Sequence, residues 1–160
     1  AFPSYILVFS LVALYGAGLG KLVFAIALAF LPQFARITRS QTLTLRNRPF
    51  IESARLMGLP APKIVVRHVL PNILGPVIVL ASMNIPSVIT AEAAMSFIGL
   101  GVQPPQTSLG TLIRDGYVFL DQSWWPIISA VAVLGLATLG CTLLGEALRD
   151  AVDPKMRRQP

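Results

Sequence analysis

Apolar residues run in long blocks along this chain, and the polar residues are gathered between them. Four blocks are long enough for membrane helices, spanning about Phe2 to Tyr15, Leu22 to Ile37, Ile73 to Met95 and Trp124 to Leu144. A spanning helix needs about 20 mostly apolar residues. Gly16, Gly18 and Gly20 separate the first two blocks, because closely spaced glycines favour a tight turn over a helix interior. Pro32 predicts a kink in the second block, since it cannot donate a backbone hydrogen bond and clashes with the Leu28 carbonyl. Pro76 and Pro86 predict bends in the third. The pattern therefore predicts an all-α, polytopic membrane bundle of about four transmembrane helices. Residues 1–45 hold two membrane helices, 46–72 a polar loop, 73–95 the third helix, 96–123 an external segment, 124–148 the last helix and 149–160 a tail. A soluble bundle is excluded by the lack of amphipathic helices to cover four such blocks.

The central polar loop has its own helical signals. Pro49 stands where a helix begins and Gly58 where one ends, which predicts a short helix over Glu52 to Gly58, roughly parallel to the membrane. Phe50, Ala54 and Met57 share one face at helical spacing. That face suits either an apolar groove on a partner, with Glu52 and Arg55 at its rim, or a bed of lipid headgroups. Leu59-Pro60-Ala61-Pro62 then predicts a rigid elbow. Lys63 to Leu70 reads as a second short amphipathic helix, and Pro71 as the point of re-entry into the membrane. The single His68 reads as a hydrogen-bonded structural residue.

Composition agrees with a membrane location. Hydrophobic residues make up 54% and charged residues 12%, against about 25% charged in ordinary soluble domains. Of 13 Lys and Arg, all but Lys21 and Arg114 lie between Arg36 and Arg67 or between Arg149 and Arg158. The positive-inside rule places the central loop and the C-terminal end in the cytoplasm. Four spans then bring the N-terminal end to the same side, with 97–122 outside. Arg36 and Arg39 suit snorkelling to lipid phosphates. The net charge of +6 is met by membrane lipid and calls for no nucleic-acid partner. Cys141 is the one cysteine, so no intrachain disulfide forms. The apolar start lacks a basic region typical of a signal peptide and looks like the middle of a longer protein.

Candidate chemistry inside the membrane is sparse. The third block carries Ser82, Asn84, Ser87 and Thr90, and Asn84, Ser87 and Ala91 fall on one helical face. Small polar residues there either pack helices together or line a translocation path, for which Ser82, Asn84 and Ser87 are the candidates. Glu92, near the outer end, is expected to pair or to meet water. Trp124-Trp125-Pro126 reads as an interfacial anchor. No catalytic motif, metal-ligand cluster or phosphate-binding loop occurs, so the sequence offers no catalytic residues and no metal ligands.

Three segments carry a family resemblance. Glu52-Ser53-Ala54-Arg55-Leu56-Met57-Gly58 followed by Leu70-Pro71 resembles the cytoplasmic loop of permease subunits of prokaryotic ATP-binding-cassette importers. Ala91-Glu92-Ala93-Ala94-Met95-Ser96-Phe97-Ile98-Gly99-Leu100-Gly101-Val102-Gln103-Pro104-Pro105, with Ser108-Leu109-Gly110, resembles a signature of the dipeptide, oligopeptide and nickel permeases. Leu143-Leu144-Gly145-Glu146-Ala147-Leu148-Arg149-Asp150-Ala151-Val152-Asp153-Pro154 is similar to the end of the second, C-type permease. Phe2-Pro3-Ser4 and Leu31 to Arg36 fit as well. Ser53, His68 and Leu109 depart from the usual Ala, Ile and Trp. The likeness covers the last four of the usual six spans, so an N-terminal pair is expected to be lacking.

The resemblance implies a type I importer fold in the bacterial or archaeal cytoplasmic membrane. It implies a second permease subunit, two nucleotide-binding ATPase subunits and an extracytoplasmic substrate-binding protein as partners. ATP and magnesium would be held by the ATPase subunits and no cofactor by this chain. Coupling to the ATPases would fall to Glu52, Ser53, Ala54, Arg55, Met57, Gly58 and Leu59, while no residue is assigned to peptide recognition. Nickel or another small ligand is the alternative cargo. A passive channel or membrane scaffold is the alternative class, although it does not account for the loop spacing or the outer segment.

Overall fold

The computed structural model describes residues 4–152, all of whose regular elements are helical. Two sequence expectations lie outside those residues: the match at Phe2-Pro3 and the basic tail from Asp153 onward. Helix α1 (Ser4–Tyr15) turns at Gly16 and Gly18, whose φ angles of 85° and 143° suit glycine alone, into α2 (Leu19–Arg46). A short connection leads to α3 (Pro49–Leu56). Next come α4 (Ala61–Ile64), a π-helical turn (Val65–Val69) and α5 (Leu70–Phe97). Beyond a turn-rich stretch lie α6 (Leu109–Val118) and α7 (Trp125–Val152).

Three of these runs are long and apolar enough to cross a membrane: Leu19–Arg46, Ala61–Phe97 and Trp125–Val152. At 28 residues, α2 and α7 each measure about 42 Å, against a hydrocarbon core of about 30 Å. Of the first expected span, Phe2 to Tyr15, the described residues form α1, 12 residues and about 18 Å long, which begins at the first of them. Pro32, Pro76 and Pro86 all lie inside helices that continue through them.

One further expectation is corrected. The helix foreseen at Lys63 to Leu70 is not separate from the third membrane helix, which runs on through Pro71. Ala61–Phe97 is one run of 37 residues. Proline cannot donate to the carbonyl four residues back and crowds it, and a π turn absorbs this by widening the helix. The Leu70 N–H reaches back five residues to the Val65 carbonyl, and Asn72 Nδ2 donates to the His68 carbonyl at 2.6 Å. The segment 96–123 contains α6. Ser108 and Thr111 form a reciprocal capping box that starts this helix.

The elements close around two small cores. Val8 and Val12 of α1, Leu22, Ala25 and Ile26 of α2, and Ala91 and Met95 of α5 bury one another at one end. Ile51 and Ala54 of α3, Ile64, Val69 and Ile73 form the second core at the other end. Helix α7 runs antiparallel along α5 with a glycine at the contact: a Cβ on Gly145 would lie 3.3 Å from the Ser82 carbonyl oxygen. Its other faces stay open, with Leu136 69% and Leu144 71% exposed. Such a surface suits lipid or other membrane helices as its surroundings.

Candidate functional site

Helix α3 is built by local rules and then fastened by tertiary ones. Pro49 occupies its first turn, where its missing N–H costs nothing. At the other end Gly58 adopts φ 75°. Its N–H donates to the Arg55 carbonyl at 2.9 Å, and the Leu59 N–H donates to the Ala54 carbonyl at 3.2 Å. This is a Schellman stop, and Leu59 packs onto the second core as the motif's usual apolar contact. The helix therefore ends where the sequence predicts, at a residue chosen for backbone freedom.

The rolling of α3 about its axis differs from expectation. Ala54 does not share an outward face with Phe50 and Met57. It is 1% exposed and lies beside Ile51 against Ile64, Val69 and Ile73. A small side chain at 54 lets α3 approach the start of the long run closely, so Ala54 positions the helix. Glu52, Ser53 and Arg55 are exposed, with Ser53 Oγ donating to the Pro49 carbonyl at 3.0 Å. The apolar groups offered outward are Leu56, 90% exposed and missed in the sequence reading, and Met57, 72% exposed. Both lie just before the Gly58 turn, a position that a face-based reading of α3 undervalues. His68 stacks obliquely on Phe50 with ring centroids 6.5 Å apart, a structural contact. Arg46, Arg48, Arg55, Lys63 and Arg67 are exposed around this end of the molecule.

The candidate path residues separate. Asn84 faces a cavity of about 380 Å³ between α2 and α5, whose walls are otherwise almost wholly apolar. Ser82 faces away from it, donating to the Val79 carbonyl and abutting Gly145 of α7. Ser87 does not line the cavity, and Ala91 is packed into the first core. The face that meets the cavity is Asn84, Val88 and Glu92, in steps of four rather than at the 84, 87, 91 spacing. Glu92 was expected to pair or to meet water near the end of its helix, and its place on this cavity follows from how α5 is rotated against α2.

The C-terminal turn of α5 is closely fitted. Gly99, φ 89°, stops the helix in a second Schellman arrangement, with the Leu100 N–H donating to the Met95 carbonyl at 2.9 Å. Fully buried Ser96 accepts from the Val102 N–H at 3.0 Å and donates to Glu92 Oε1 at 2.6 Å. A Cβ on Gly101 would come within 2.8 Å of Ser96 Cα, and one on Gly110 within 2.8 Å of Ala93 Cα. Two close backbone approaches thus lock 99–110 onto the end of α5.

Comparison with known proteins places these features. A di/tripeptide transport system permease protein of Pseudomonas aeruginosa is 38% identical over 157 residues, 98% of this chain and 52% of that protein. An oligopeptide transport system permease protein of Haemophilus influenzae is 41% identical over 158 residues, 98% of this chain and 50% of that protein. Its counterpart in Salmonella typhimurium is 40% identical over 158 residues. The chain spans about half the length of these relatives. The family model described as "binding-protein-dependent transport system inner membrane component" matches residues 1–158. Because the match takes in both cores, the α3 turn and the segment after α5 together, the chain belongs to the family of binding-protein-dependent transport system inner membrane components.

Proposed function

We propose that this chain is a transmembrane permease subunit of an ATP-driven peptide importer and contributes half of its translocation path. Its partners are a second permease subunit, two nucleotide-binding ATPase subunits and an extracytoplasmic substrate-binding protein. ATP and magnesium are held by the ATPase subunits. Helix α3 and the basic end lie in the cytoplasm, in keeping with the positive-inside rule, and the α5–α6 turn lies outside.

One observation carries this reading: α3 presents Leu56 and Met57 outward while its opposite face is locked by Ile51 and Ala54 into the base of α5. An element gripped at its exposed tip transmits displacement only if its other face cannot slip. The second core and the unbroken run Ala61–Phe97 meet that need, so a push on α3 moves a membrane helix. Alternating access then follows as a shift between two packings of α2, α5 and α7.

The test is ATP-driven peptide uptake by the complete transporter in vesicles, measured beside ATP hydrolysis. Leu56→Asp with Met57→Asp puts charge on the exposed tip without touching the inner core. The expected result is normal assembly of the two permease subunits, with uptake lost and hydrolysis no longer stimulated by loaded binding protein. Full stimulated uptake by this variant would overturn the coupling role.

A further inference from the structure

The groove between α2 and α5 has an apolar length and one charged end. Its wall on α5 runs from Ala81 to Glu92, about 16 Å of helix, and Phe30 and Phe34 of α2 deepen its inner half. Its volume of about 380 Å³ falls within the range of about 300–1,000 Å³ usual for small-molecule sites. An extended peptide of about four residues is about 14 Å long and fits the same length. Among the described residues Glu92 is the groove's only ionisable group, and Asn84 offers an amide about 12 Å deeper.

Glu92 is held in place and left without a counter-charge. Ser96, with its side chain buried, uses its hydroxyl proton on Oε1 and its lone pair on the Val102 N–H, so one carboxylate oxygen has a fixed position. No Lys or Arg pairs with the carboxylate among the described residues: the ion pair found there is Arg114 with Asp115, and Lys21 Nζ is turned to the Tyr15 carbonyl. A carboxylate on the wall of an apolar groove is costly against lipid and favours a cation or water in front of it. The geometry points to this groove as a binding site for the ammonium end of a peptide cargo, with Glu92 as its counter-charge. Apolar side chains of the cargo lie along Ile26, Phe30 and Val88. This assignment rests on the permease reading and names the cargo group that the path recognises.

The test uses the complete transporter in vesicles and dicyclohexylcarbodiimide, an apolar reagent for carboxyl groups in low-dielectric sites, with the modified residue located by mass spectrometry. Glu92 is expected to react. Leucyl-leucine with a free ammonium is expected to slow that reaction about tenfold or more, and its N-acetyl form to leave it unchanged, since a charge-assisted contact is worth at least that factor. Glu92→Gln keeps an acceptor for Ser96 and is expected to raise the KM for uptake of the free peptide about tenfold. Equal protection by the two peptides, no reaction at Glu92, or an unchanged KM in Glu92→Gln would each overturn the assignment. Uptake of leucyl-leucine by the unmodified transporter is measured in the same vesicles. Its absence counts against the permease reading, whereas uptake without discrimination at Glu92 removes only the ammonium site.

Discussion

Gly58 shows how one backbone angle can carry an expectation from sequence to function. At φ 75° it has no atom within 4 Å of where a Cβ would lie, so a substitution there is opposed by conformation and not by collision. Gly58→Val is expected to cost about 1–2 kcal/mol locally and to uncouple ATP hydrolysis from uptake while membrane insertion stays normal. Asn tolerates the left-handed region, so Gly58→Asn should restore most of the uptake. Equal uptake by the Val variant and the unaltered protein would remove the turn from the transmission route. Ala54 makes the complementary case. Ala54→Leu forces a branched side chain into a filled core, at about 1–3 kcal/mol. It should release α3 to protease attack, which limited proteolysis would detect as cleavage near 49–60 absent from the unaltered protein.

At the scale of elements, α6 depends on two contributions that can be separated. The capping box starts it, and Ser108→Ala should lose about 1 kcal/mol of helix stability. Gly110 allows it to touch the backbone of α5, and even a methyl group there meets Ala93. Gly110→Ala should therefore lower the thermal midpoint of the detergent-solubilised complex by more than Ser108→Ala does, since overpacking costs about 1–3 kcal/mol and a backbone contact cannot yield as a side chain does. The reverse order would mean that α6 is held by its cap and not by its seat. Gly145 against Ser82 is a milder approach, 3.3 Å at its closest, and lets α7 lie along α5. Small residues at such contacts are the usual way for membrane helices to come close.

The whole molecule is a set of long helices fastened at two ends, with most of its apolar surface unclaimed by its own fold. Its topology can be tested directly. In a Cys141→Ser background, Gln106→Cys is expected to react with an impermeant thiol reagent in intact cells, and Ser53→Cys only after the membrane is opened. Both positions are exposed, so access and not burial decides the outcome. Labelling of Ser53→Cys alone in intact cells would invert the orientation and with it the place of the ATPase partners.

Much of this fold could be read in advance because its causes are local. Three membrane-length apolar runs, the glycine turn after α1, the start of α3 at Pro49 and its stop at Gly58 all follow from demands that neighbouring residues make on the backbone. The same local rules failed for Lys63 to Leu70, read as a separate short helix, because a π turn together with the core of Ile64, Val69 and Ile73 holds the helix continuous into α5. Rotation of a helix about its axis is likewise settled by what it packs against. Sequence spacing alone put Ala54 on the free face of α3 and grouped Asn84 with Ser87. Only the packed structure turned Ala54 inward, left Leu56 at the tip, and brought Asn84 and Glu92 to one groove. Periodicity reports which residues share a face, and tertiary contacts decide where that face points.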